Sequence, residues 1–102
     1  EYETLGRLYF QADDNAEAVT WLGKAVEAAR REGEKPKELW FQLMDQALVE
    51  INDGPRRLAN LEALVRAYPK QEYYSRIPAL YSQGSGDDKT VMLQAYRLAM
   101  AD

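Results

Sequence analysis

An all-α chain built from three antiparallel helical hairpins is what the sequence predicts, on three grounds. Apolar residues recur at three- and four-residue intervals in six successive stretches, the spacing of a helix face turned toward a core. Clusters of Gly, Pro, Asn and Asp separate the stretches, and these are the residues that stop helices and make turns. No stretch alternates apolar and polar residues in the Val-, Ile- and Thr-rich manner of a half-buried strand, so no sheet is expected.

The elements follow in order. From Tyr2 to Gln11, Leu5, Leu8 and Tyr9 stand at helical spacing, and Asp13-Asp14-Asn15 breaks the pattern and offers a cap for the next helix. The second helix aligns Ala18, Val19, Leu22, Ala25, Val26 and Ala29 on one face. Gly33 stops it, with Arg30 and Arg31 in the last turn, where the helix dipole favours cations. Pro36 suits the first turn of a third helix carrying Leu39, Trp40, Leu43, Met44, Ala47, Leu48 and Ile51. After the turn Asn52-Asp53-Gly54-Pro55, a fourth helix places Leu58, Leu61, Leu64, Val65 and Tyr68 inward and ends at Pro69. A fifth helical stretch runs from about Lys70 to Gln83. Pro78 lies within it, where it removes a backbone hydrogen bond and crowds the Tyr74 carbonyl at a cost of about 3 kcal/mol in a straight helix. We therefore expect a kink, or a helix that begins only near Ile77. Gly84-Ser85-Gly86 precedes a sixth helix, capped by Asp87 or Asp88, with Val91, Met92, Ala95, Leu98 and Ala99 on its apolar face. Short polar turns make sequential helices antiparallel, giving hairpins at about residues 1–34, 35–69 and 70–102 of a single domain.

Composition narrows the chemistry. The chain has 102 residues, 46% of them hydrophobic and 29% charged, which is the make-up of a globular domain and not of a disordered one. Net charge is −4, and an acidic surface repels phosphate, so no nucleic-acid partner is expected. The pairs Arg30-Arg31 and Arg56-Arg57 sit among acids or near a helix end and read as solvated faces. There is no Cys and no His, which removes thiol nucleophiles, imidazole bases, disulfides and thiolate or imidazole metal sites. No metal or other cofactor is expected. The paired acids Asp13-Asp14 and Asp87-Asp88 precede helices and read as caps, so no catalytic residues are assigned. Gly84-Ser85-Gly86 lacks the strand before it and the Lys-Ser/Thr after it that a phosphate loop needs. No apolar run reaches the ~18 residues of a membrane-spanning helix. The chain opens on Glu1, and we expect it to be a piece of a longer protein.

The helices also repeat one another. Tyr2, Leu5, Gly6 and Tyr9 stand at spacings of three, one and three. Tyr74, Ile77, Pro78 and Tyr81 repeat them, and Phe41, Met44, Asp45 and Leu48 do so more loosely. In the alternate helices Ala18, Leu22 and Ala25 match Arg57, Leu61 and Leu64. From Phe41 to Tyr74 is 33 residues, and from Tyr2 to Phe41 is 39, the excess falling in the Arg31–Lys37 linker. The pattern resembles the tetratricopeptide (TPR) repeat: an aromatic, Leu-Gly and a Tyr on the first helix, then Ala, a large apolar residue and a closing Pro. The first repeat fits through Gly6 and Ala18. The second keeps Pro69 but has Asp45 and Arg57 at the small positions, and the third has Pro78 and Val91 there. Within the family the stretch Trp40-Phe41-Gln42-Leu43 after a lengthened first hairpin looks like bacterial TPR proteins, of the periplasm or the cytoplasm.

The resemblance implies an α-α superhelix, a right-handed solenoid whose first helices line a concave groove. It makes the chain a protein–protein interaction module, an adaptor or scaffold that binds a peptide or helix of a partner protein and catalyses nothing. Residues of the first helices not facing their hairpin partners would line the groove. On the first these are Glu3, Arg7, Phe10 and Gln11. On the next they are Leu39, Gln42, Gln46, Val49 and Glu50, and on the last Glu72, Ser75, Arg76, Ala79 and Gln83. Arg7, Gln11, Gln42, Gln46, Glu50, Arg76 and Gln83 are the polar residues expected to bind the partner. The Asn residues of the family's carboxylate-gripping members are missing, so no such clamp is expected. The alternative is structural: terminal repeats of a longer solenoid, joined as a homodimer through the last helix, whose Met92, Leu93 and Tyr96 form a second apolar side.

Overall fold

The computed structural model describes the backbone of residues 1–83 and the side chains of residues 1–80. The described residues are all-helical. In order the helices are α1 (Tyr2–Gln11), α2 (Asn15–Arg31), α3 (Glu38–Glu50), α4 (Gly54–Ala67), α5 (Gln71–Tyr74) and α6 (Ile77–Gln83), with no strand among them. The expected sixth helix, with the dimer surface assigned to it, lies outside the described residues. The chain divides into two units, Glu1–Asp53 and Gly54–Asp102.

In the first unit α2 packs along both α1 and α3, and α1 also touches α3. The stripe read from the sequence is the stripe that is buried: Ala18, Val19, Leu22, Ala25, Val26 and Ala29 all lie in the core. Trp40, Phe41, Met44, Ala47 and Leu48 of α3 close over them, and Phe10 and Ile51 pack on the cluster of Val19, Ala47 and Leu48. The small residue Gly6 sets the approach of α1. A Cβ at this position would lie 2.6 Å from Leu22 Cγ and 3.1 Å from the Leu22 backbone nitrogen, so the two helices meet backbone to side chain there.

The three helices of this unit end alike. The amide of Asp14 bonds the Tyr9 carbonyl at 2.9 Å, that of Glu34 bonds Ala29 at 2.8 Å and that of Asp53 bonds Leu48 at 3.0 Å. In each case the preceding residue is left-handed: Asp13 at φ 60, Gly33 at φ 72 and Asn52 at φ 56. This is the Schellman ending, which needs Gly, Asn or Asp because their backbones tolerate that conformation.

Several expectations are corrected. Leu5 and Leu8 do not face the core; both are exposed, Leu8 at 56%. The inner face is instead Gly6, flanked by half-buried Glu3, Tyr9 and Phe10. On α3, Leu39 is exposed while Phe41 and Asp45 are buried. Pro36 lies one residue before the N-cap Lys37, outside the helix.

In the second unit Leu61, Leu64 and Val65 of α4 are buried, with Leu58 and Tyr68 half-buried. The helix ends at Ala67, before Pro69, because the residue preceding a proline is driven from the helical region. The stretch from Lys70 divides as Pro78 requires. α5 stops at Tyr74, Ser75 and Arg76 form a turn, and α6 begins at Ile77. Pro78 thus occupies a first turn, where its missing N–H leaves no bond unmade. The break also changes the phase of burial, so that Tyr73, not Tyr74, is buried beside Ile77.

A candidate peptide groove between the first and third helices

The α1 and α3 helices run in the same direction, as their end-to-end matching shows. Glu3 at the start of α1 meets Lys37 at the start of α3, Nζ to Oε1 at 3.2 Å. Asp13, just after α1, shares a depression with Val49 and Glu50 at the end of α3. The surface between them is a groove in two parts joined at Phe10. One part, about 200 Å³, is lined by Arg7, Phe10, Gln11, Leu39 and Leu43. The other, about 510 Å³, is lined by Phe10, Asp13, Asn15, Asp45, Gln46, Val49 and Glu50.

The groove gathers four of the expected partner-binding residues: Arg7 and Gln11 in its first part, Gln46 and Glu50 in its second. Phe10, Leu39 and Val49 are with them, as expected. Gln42 is exposed on α3 but lines neither part. Arg76 belongs to the second unit, where its guanidinium lies 5.6 Å from the Tyr73 ring centroid. Gln83 ends α6, and its side chain lies outside the described residues. The sequence reading missed Asp13, Asn15, Leu43 and Asp45. In the sequence the first two have the character of cap and turn residues, yet a helix ending carries its following residues onto the neighbouring surface. Asp45 is 5% exposed and forms part of the wall.

Charge is distributed unevenly along the groove. Arg7 is exposed and lies 3.9 Å from Glu3 one turn earlier, while the opposite end is walled by Asp13, Asp45 and Glu50. Glu3 itself belongs to a depression of about 630 Å³ at the helix starts, shared with Tyr2, Ala28, Ala29, Lys37 and Trp40 among others. The Glu3 carboxyl is held below its ordinary value chiefly by the indole N–H of Trp40. Lys37 and Arg7 add to this and partial desolvation opposes it. The Trp40 indole nitrogen is itself buried. Lys37 Nζ also lies 5.7 Å from the Trp40 ring centroid, within reach of a cation–π contact. Outside this cluster, Trp21 stacks beside Tyr2 with ring centroids 5.9 Å apart, donates to Glu17 at 3.2 Å and lies beneath Lys24 Nζ at 4.2 Å. It fills the seam between α1 and α2.

Among the described residues no group of acids is placed to hold a metal ion, and no helix is long and apolar enough to cross a membrane. Comparison of the chain with family models, curated proteins and solved structures finds no match.

Proposed function

We propose that the chain is a TPR-like protein–protein interaction module, an all-helical adaptor that holds a segment of a partner protein between α1 and α3 and has no catalytic role. The reading takes the helical hairpins as stacked repeats of an α-α superhelix. The observation that carries it is the two-part groove on parallel helices α1 and α3, with exposed Leu39 and Val49 among side-chain amides. Apolar side chains supply contact area and amides supply both donors and acceptors, the mixture that peptide grooves use. The close crossing of α1 and α2 at Gly6 supports the repeat reading, since it gives the small position of the sequence pattern a packing reason.

Capture from a lysate of the source cell tests this. The wild-type chain and the double variant Gln46→Lys, Val49→Glu are immobilised in parallel, with circular dichroism checking that the variant folds. The reading expects a partner band retained by the wild type and lost from the variant. Equal retention on both overturns it.

A second reading has its own observation. Leu5 and Leu8 are both exposed on α1, as a face covered by another helix in a larger array would be. That reading makes the chain a structural repeat segment. It expects self-association in sedimentation that Leu8→Glu abolishes, whereas a monomer at all concentrations speaks against self-association through this face.

A further inference from the structure

The groove is polarised, and the polarity specifies what it takes. Its Asp13–Glu50 end receives the C-termini of two helices, because α1 ends at Gln11 and α3 at Glu50. A helix C-terminus carries a partial negative charge of about half a unit. Nature commonly places Lys or Arg in the last turn to offset it, as Arg30 and Arg31 do on α2. Neither α1 nor α3 has a basic residue in its last turn. The N-terminus of α2, at Asn15, reaches the same lining and offsets one of the two C-termini. The carboxylates of Asp13 and Glu50 leave the balance negative, and the lining of this part contains no cationic side chain. The other end has Arg7 together with Leu39 and Leu43. A net negative lining beside Phe10 and Val49 is a place for a cation with an apolar stem.

Length and backbone chemistry define the rest. From Leu39 to Val49 the α3 face extends about 15 Å at 1.5 Å per residue, which an extended chain covers in about five residues. The side-chain amides of Gln11, Asn15 and Gln46 offer both donors and acceptors. An extended segment, whose backbone groups are unpaired, can use them, whereas a helix has already satisfied its own. We propose that the groove binds an extended peptide segment of a partner protein. A Lys or Arg of that segment sits at the Asp13–Glu50 end, and an aliphatic residue about three to five positions away packs on Leu39 and Leu43. This rests on the groove reading above and adds the class of the segment.

The test is selection of a random seven-residue peptide library displayed on phage against the full 102-residue chain, followed by synthesis of the enriched peptides. The expected result is enrichment of one basic residue at that spacing from an aliphatic one. Affinity should fall about three- to tenfold in Asp13→Asn, Glu50→Gln, as loss of two exposed charge contacts implies, and fall further as salt screens the charges. Asn tolerates the left-handed backbone of position 13, so the variant keeps the α1 ending. Peptides that need Gln46 and Val49 but carry no basic residue, or that bind the Asp13→Asn, Glu50→Gln variant as well as the wild type, overturn the proposal and leave the groove reading standing. Enrichment of no peptide that depends on Gln46 and Val49 overturns both.

Discussion

At the scale of single residues, the helical glycines Gly6 and Gly23 have opposite roles. Gly6 sits against Leu22, which is fully buried and has no room to retreat. Gly6→Ala gains roughly 1 kcal/mol of helix propensity but overpacks the crossing at a cost of about 1–3 kcal/mol. We expect a net loss of stability on the order of 1 kcal/mol. Gly23 has nothing within 4 Å of an added Cβ, so Gly23→Ala should stabilise by roughly 0.5–1 kcal/mol. Urea denaturation of the two variants checks the pair, and the same sign for both contradicts the packing described. Glu3 gives a second residue-scale prediction. Its pKa is depressed in the folded chain by Trp40, Lys37 and Arg7. Its contribution to stability is therefore present above the ordinary carboxylate range and lost as pH falls through the lowered value. Glu3→Gln should destabilise at pH 7, and the difference from wild type should vanish in strong acid. A difference that stays constant across that range means that the charge of Glu3 plays no part.

At the scale of elements, the endings of α1, α2 and α3 were the most legible feature of the sequence. Asp13, Gly33 and Asn52 are residues that accept φ near +60° at low cost, and each was read as a stop. Pro69 and Pro78 were legible for a comparable reason, since a ring that fixes φ and removes a donor acts whatever the surroundings. The inward face of α1 was not legible. Leu5 and Leu8 have the right spacing for a core stripe, but the face that packs is decided by how closely α2 approaches, and a glycine allows the closest approach. The groove was legible in part for the same reason. Gln46 and Val49, which the family resemblance implied for the groove, line it from α3, whereas Asp13 and Asn15 reach it through the geometry of a helix ending. The Gly33 ending can be tested alone. Nothing lies within 4 Å of an added Cβ there, so Gly33→Ala should cost about 1–2 kcal/mol through the left-handed backbone only. Gly33→Asn should cost less. If Ala and Asn have equal stability in thermal denaturation, backbone conformation is not what the position selects.

At the scale of the whole molecule, the account joins an all-helical chain to a binding role through one surface, the groove between α1 and α3. Absence of Cys and His narrows the catalytic options of the chain, and the groove offers amides, apolar contacts and separated charges. The central claim is that partner segments lie in this groove, and site-specific photo-crosslinking tests it most directly. A benzophenone side chain is placed at Gln46, within the groove, and in a second preparation at Glu27, exposed on α2. Both are irradiated in the source-cell lysate. The account predicts a defined adduct from position 46 that is absent from position 27 and is competed away by excess unlabelled chain. Adducts at position 27 with none at position 46 contradict it.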